Sequence, residues 1–396
     1  MLDAGGRGCI LYLQYTNPSA YPPLEHSAAL LSEAGYDILF LGVAGAGPPS
    51  ARARGQGRIR LLWMSACPPG WRQKPHYLRF GVWTIWHAVR SRPRWIYASD
   101  PLSCPIALAI NRLLRIPVIY HEHDSPDVAG AMTPAAPSVP PAPSVFMRFV
   151  LWARRRLARR ATLCVLPNAE RTARFARDTA CARTITVWNC PLKTDIAAPR
   201  LRTTASPLVL YYHGNISREL LPVTLLDAMA RSARDVELHV VGYEAMGQAG
   251  YLEQFRREAM RAGVGARVHV FPPVPRAGLL KRLEGCDVGL ALVPTNSRDV
   301  NLRALTGASN KAFEYLAGGL ALLVSDLTDW RRAYVDPGYA LAAEPASPDS
   351  LATALRWFAD NRERMRQMAD AGRQRILMEW NYETQFQPVL DEITRR

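Results

Sequence analysis

The chain has 396 residues, 48% of them hydrophobic and 21% charged. That composition excludes a disordered or fibrous chain, and the length exceeds one ordinary core, so two domains are expected. The formal net charge of +15 points to anionic partners: phosphorylated substrates, acidic lipid headgroups or nucleic acid. Seven cysteines, at positions 9, 67, 104, 164, 181, 190 and 286, include no CxxC pair. Neither a zinc site nor a disulfide framework is expected from them, and a reducing cytosol suits them best. No secretory signal is read ahead of "CILYLQY", and no apolar run reaches the ~18–20 residues that span a bilayer.

In chain order, "ILYLQY" (10–15) predicts a buried strand, "LEHSAALLSEAG" a helix stopped by Gly35, and "YDILFLGV" (36–43) the next strand. A helix-stop glycine followed at once by an apolar strand marks a βαβ unit. Further strands are predicted at "WIYASD" (95–100), "IPVIYHEHD" (116–124), "TLCVLPN" (162–168) and "TITVWNC" (184–190), with the helix "PIALAINRLLR" between the first two. Residues 125–144 carry six prolines and predict a mobile loop or lid. After a linker near 191–206 the alternation restarts. Strands are predicted at 208–215, 236–243, "ARVHVFPPV", 287–294 and "LALLVSD", each separated by a helix. Such alternation implies parallel sheets covered on both faces, in two doubly wound α/β domains that face each other across a cleft.

Ligands of open α/β sheets bind outside the carboxyl ends of the strands. The polar residues there are Asn17, Ser19, Asp100, His121 to Asp124, Gly214 to Glu219, Tyr243, Pro294 to Asn296 and Ser309 to Glu314. In "SNKAFEYLAGGLALLVSD" (309–326), Ser309 is a good N-cap. The first-turn amides, with Asn310 and Lys311, form an anion site that Lys311 strengthens. Glu314, one turn on, suits a pair of hydroxyls. Phosphate plus a vicinal diol describes a nucleotide. The same pattern also fits a first-turn glutamate that merely complements the helix dipole.

"NLRALTGASNKAFEYLAGGLALLVSD" resembles the donor-binding segment of the group 1 family of nucleotide-sugar glycosyltransferases, which have the two-domain GT-B fold. "VHVFPPVPRAGLLKRLEGCDVGLALVP" is similar to the preceding strand–helix–strand, and "YYHGNISREL" to the phosphate loop. In the first half, "YPPLEHSAALLSEAGYDILFLG" and "IPVIYHEHDSP" resemble the opening βαβ unit and a His-bearing strand end. "MEWNYETQF" resembles the last helix, which crosses back to the first domain. The resemblance is weak over 44–94 and 125–160. It implies a Rossmann-like acceptor-binding domain over 1–195, joined by helix 376–396, and a donor-binding domain over 206–375.

Carried over residue by residue, the resemblance implies that Glu314 binds the ribose. Gly214, Asn215, Arg218, Ser309, Asn310, Lys311 and Val274 complete the donor site. The family's first glutamate falls on Thr306, so the sugar is open, and the loop lysine falls near Leu220, with Arg218 the nearest cation. Arg218 also reads as a solvated loop residue. His123 matches the family histidine, with Glu122 or Asp124 as an optional base. Asn17, Ser19 and Tyr21 form the acceptor mouth. His121 and His123 share a side of their strand, but no third metal ligand accompanies them. The implied chemistry is metal-independent, retaining transfer, with no cofactor and a nucleotide diphosphate sugar as co-substrate.

"FMRFVLWARRRLARRA" (146–161) sets six arginines among apolar residues, and 71–95 interleaves basic and aromatic ones. Both read as faces for an anionic membrane surface and a lipid-linked or envelope glycan, or as solvated helices backed by a core. No nucleic-acid motif accompanies them. The expected place is cytoplasmic, peripheral on the inner face of the plasma membrane. A natural-product glycosyltransferase or nucleotide-sugar epimerase of the same fold, and a catalytically degenerate membrane scaffold, stay open as alternatives. A dehydrogenase is disfavoured, since no G-x-G-x-x-G follows the first strand.

Overall fold

The structure is a computed structural model describing residues 6–16, 21–44, 57–68, 70–126, 144–197, 207–232, 235–244, 247–274, 276–297 and 299–395. Asn17, Ser19 and most of the proline-rich 125–144 stretch lie outside the described residues. The chain divides into two compact units, Met1–Asn189 with Tyr382–Arg396, and Cys190–Asn381.

The first unit holds strands β1 (Cys9–Leu13), β2 (Asp37–Val43), β3 (Ile59–Met64), β4 (Trp95–Ser99), β5 (Val118–His121), β6 (Leu163–Leu166) and β7 (Thr184–Thr186). Its helices are α1 (Pro22–Glu33), α2 (Gln73–Ser91), α3 (Cys104–Leu114), α4 (Val145–Ala158) and α5 (Ala169–Thr179). The sheet order is β3-β2-β1-β4-β5-β6-β7, and every pairing is parallel. The order reverses between β1 and β4, which is where such sheets bind ligands. The middle strands are apolar on both faces because helices cover both, and β1 and β4 are buried throughout. α1 opens on Pro22 and Pro23 and ends before Gly35, whose φ of +93° suits glycine. The terminal helix α14 (Tyr382–Arg395) belongs to this unit. Tyr36 donates to the Ile393 carbonyl (3.3 Å), and Tyr382 meets His26 edge-on.

The second unit holds β8 (Leu208–Ile216), β9 (Val236–Glu244), β10 (Val268–Phe271), β11 (Val288–Ala291), β12 (Ala321–Ser325) and β13 (Ala340–Ala343). Their order is β10-β9-β8-β11-β12-β13, again all parallel. The helices are α6 (Thr224–Arg231), α7 (Tyr251–Arg261), α8 (Arg276–Arg282), α9 (Val300–Arg303), α10 (Asn310–Ala317), α11 (Thr328–Trp330), α12 (Pro348–Asp360) and α13 (Arg362–Met378). Two glycines mark close approaches. A Cβ on Gly289 of β11 would stand 2.3 Å from the Tyr315 ring, so α10 beds directly on β11. A Cβ on Gly242 would stand 1.9 Å from the Gly214 carbonyl, so the ends of β8 and β9 meet backbone to backbone.

Candidate functional site

The residues expected to bind the donor gather where β8 ends and α10 begins. Glu314 is buried, and its Oε2 lies 2.7 Å from Nε2 of His213, itself buried at the end of β8. The His213 amide donates to the Tyr315 hydroxyl (3.1 Å), which ties the strand end to the helix. The Lys311 ammonium donates to the Tyr212 hydroxyl (3.0 Å) and sits 4.6 Å from the centre of that ring. Tyr212 in turn donates to the Asn215 carbonyl. Gly214 adopts φ +100°, and a Cβ there would stand 3.3 Å from Cε of Lys311. Only glycine gives both that conformation and that clearance. Burial pulls the Lys311 ammonium down to about 8, with Glu314 opposing the shift. Oδ1 of Asn310 is buried with no partner among the described residues.

Ser309 holds the N-cap position, but its hydroxyl makes no capping hydrogen bond, contrary to the expectation from its type. Arg218 is exposed, with its guanidinium 5.0 Å from the centre of the Tyr251 ring rather than on Lys311. Val274 follows β10 and packs 3.2 Å from the Cβ position of Gly278. Thr306 donates to Oδ2 of Asp329 at 2.5 Å. A carboxylate therefore stands beside the position where the sequence lacks its expected glutamate.

In the first unit, β4 and β5 end in a buried polar cluster. Asp100 has φ +62°, a strained conformation for a residue with a side chain. Its Oδ1 accepts from the His123 amide (2.9 Å), and Gln14 reaches Oδ2 at 3.3 Å. Burial, reinforced by Asp124, pushes the Asp100 carboxyl well above the usual range. His121 exchanges a 2.8 Å hydrogen bond with the Tyr97 hydroxyl, and its ring lies 4.0 Å from that of His123. Burial, with Arg171 adding to it, holds His123 down at about 3. Burial, reinforced by His123, holds His121 well below its usual range as well. Both imidazoles are therefore neutral near pH 7. Neither ring nitrogen of His123 has a partner among the described residues, and the Tyr21 ring lies 5.1 Å away.

Glu122 sits differently from the option of a base. Arg154 grips it with both forks, Nε to Oε2 at 2.5 Å and Nη2 to Oε1 at 2.6 Å, and Tyr120 adds a 2.6 Å bond. Both partners are buried. Asp124 is exposed and stands 3.5 Å from Arg171, whose guanidinium also donates to the His123 carbonyl (2.6 Å).

The first half, residues 24–190, matches the family described as Glycosyl transferase 4-like domain. Residues 218–391 match the family described as Glycosyl transferase-like. The chain is a glycosyltransferase of the GT-B fold. No curated protein sequence matches it. Among solved structures, HepE from Anabaena in complex with UDP and glucose is 16% identical, with 98% of this chain and 100% of that one covered and a TM-score of 0.71. Sucrose-phosphate synthase from Thermosynechococcus elongatus is 16% identical over 98% and 99%, with a TM-score of 0.76. WaaG, a glycosyltransferase involved in lipopolysaccharide biosynthesis, is 12% identical over 98% and 99%, with a TM-score of 0.65.

In this glycosyltransferase the structure brings Gly214, Asn215, Lys311 and Glu314 together, and likewise Tyr21 and His123. It sets Arg218 over Tyr251 and Glu122 against Arg154. The sequence reading missed His213, Asp329 and Tyr212. His213 had a visible signal, as a histidine at a strand's carboxyl end just before Gly214.

Proposed function

We propose that the second unit binds a nucleotide diphosphate sugar and that the enzyme passes the sugar, with retention, to a hydroxyl of a glycan or lipid-linked acceptor. The convergence of the His213–Glu314 pair and Lys311 on Gly214 carries this reading. Glu314 accepts hydrogen bonds from the ribose hydroxyls, and His213 holds its carboxylate in place. Lys311 and the first-turn amides of α10 offset the diphosphate charge as it becomes the leaving group, and Arg218 joins them by swinging off the Tyr251 ring it covers in the free protein. Asp329, held by Thr306, faces the sugar. In the first unit, neutral His123 can hydrogen-bond an acceptor hydroxyl, and the Tyr21 ring lies beside it; the resemblance adds Asn17 and Ser19 to the acceptor side. Asp100 or Asp124 serves there as the base. The family resemblance supports retention.

A thermal-shift panel of UDP, GDP, dTDP, ADP and CMP tests the donor site. UDP is the first choice because HepE was solved with it. One diphosphate should raise the melting temperature by several degrees at 100 times its Kd. Its affinity should hold steady below about pH 7, because Lys311 is then charged. Above about 8 the ammonium loses its proton in the free protein, and affinity should fall by up to about tenfold per pH unit. Calorimetry between pH 6.5 and 9 reads this, and Lys311→Arg should remove the break. No shift with any nucleotide would favour the degenerate scaffold.

The membrane part of the reading rests on one face of the first unit. α3 packs against both α2 and α4, and Tyr77 of α2 meets Phe146 of α4 edge-on. None of the three helices contains an acidic residue. Among the described residues, nine of the twelve large exposed apolar side chains lie on these helices or just before α2. They include Leu78, Val82, Trp86, Leu113, Phe149 and Trp152, with Arg90 over Trp86 and Arg156 over Trp152. No helix among the described residues is long and apolar enough to cross a membrane. Peripheral docking on the anionic inner face of the plasma membrane fits this mixture of arginine and aromatic side chains. The protein should float with phosphatidylglycerol-containing vesicles and not with neutral ones. Trp86→Glu with Phe149→Glu should abolish flotation and leave nucleotide binding intact; equal binding to both vesicle types would defeat this reading.

A further inference from the structure

A cluster in the second unit plays no part in the transfer chemistry. Glu237 and His239 lie two residues apart on β9, hence on one face of the sheet, and His269 of β10 is paired directly with His239. Nε2 of His239 and Nε2 of His269 each lie 3.7 Å from the same oxygen, Oε2 of Glu237. The rings are 5.2 Å apart and nearly perpendicular. All three side chains are half-buried, reachable from solvent but fixed by the sheet.

The separations are informative. At 3.7 Å neither contact is a normal hydrogen bond, yet three lone-pair atoms converge within 4.8 Å of one another. A four-coordinate zinc ion with bonds of about 2.0–2.1 Å keeps its ligand atoms about 3.3 Å apart, so a small side-chain adjustment closes the set. Nδ1 of His239 faces the buried Cys286 sulfur at 3.8 Å, which turns Nε2 toward the carboxylate. A second partner of this kind commonly fixes the ring of a metal-ligating histidine.

We propose that Glu237, His239 and His269 bind a divalent transition ion of the zinc class, with water filling the remaining coordination. Two imidazoles and one carboxylate suit Zn²⁺, Co²⁺ or Ni²⁺ rather than Mg²⁺ or Ca²⁺, which take oxygen ligands. The ion would clamp β10, the sheet's four-residue edge strand, to its neighbour. Glu237 and His239 lie in the first half of β9, whereas Gly242, further along, is the residue that meets the phosphate-loop glycine. The clamp is thus structural and separate from sugar transfer.

The test uses the full chain, stripped with chelator and titrated with Zn²⁺ by calorimetry and with Co²⁺ by visible absorption. One saturable site is expected, with a rise in melting temperature of several degrees. His269→Gln and Glu237→Gln should each weaken binding at least tenfold while leaving the nucleotide-induced shift unchanged. Should one variant melt early without metal, the other carries the comparison. No saturable site in the unsubstituted protein, or unchanged affinity in the variants, overturns the proposal; the second result would place the ion on other residues.

Discussion

Replacing Glu314 with glutamine should lower affinity for the donor nucleotide by about 10- to 100-fold, or about 1.4–2.8 kcal/mol. The reason is charge. Hydrogen bonds from two hydroxyls to a carboxylate are stronger than those to an amide, and this carboxylate is buried, where they count for more. Glutamine keeps the shape but loses the charge, and its amide must now also satisfy His213 at 2.7 Å. Alanine would add a second fault by leaving a buried imidazole without its partner, so glutamine isolates the binding effect more cleanly. His213→Gln should weaken binding less, because His213 positions the carboxylate and does not touch the ligand. Calorimetry with the preferred diphosphate, beside melting curves of the free variants, separates affinity from stability. Wild-type affinity in Glu314→Gln would remove the ribose assignment.

The helix α10 was legible because its pattern is local. Polar residues at a strand-to-helix turn, inside an otherwise apolar stretch, have few structural reasons to be there. Its partners were less legible because they are tertiary. His213 reaches Glu314 from another strand, and Asp329 reaches Thr306 from a separate helix. Nothing in either local pattern announces those pairs. The strand Ile59–Met64 had no prediction, since every residue of it is part-exposed or exposed and its apolar signal is diluted. Arg154 is the instructive case. The arginine-rich helix was read as a basic face, yet Val150, Ala153, Arg154, Leu157 and Ala158 are its buried residues. That spacing of three and four places Arg154 on the apolar stripe, so the sequence did mark it as inward-facing. What it could not show was the carboxylate waiting at the end of β5.

That pairing carries the largest expected effect on stability. Arg154→Met should destabilise the first unit by about 3–5 kcal/mol, because it strands the Glu122 carboxylate in the interior. For a unit of this size the melting temperature should drop by roughly 6–20 °C. The guanidinium also lies 4.7 Å from the Phe175 ring centre, so methionine keeps some of the apolar contact. Adding Glu122→Gln removes the stranded charge, leaving an amide that still accepts from Tyr120. The double variant should therefore recover part of the loss, because the stranded charge is gone although a polar amide stays buried. The same pair of variants separates two roles for Glu122. A general base contributes about 10²- to 10⁴-fold to turnover, so its loss would be plain even in a well-folded protein. An anchor predicts the reverse: the double variant, assayed at low temperature, keeps its rate within a few-fold. Denaturant melts and rates on the single and double variants decide between them, and an Arg154→Met protein that melts like the wild type would show that the buried pair is not what holds β5 to α4.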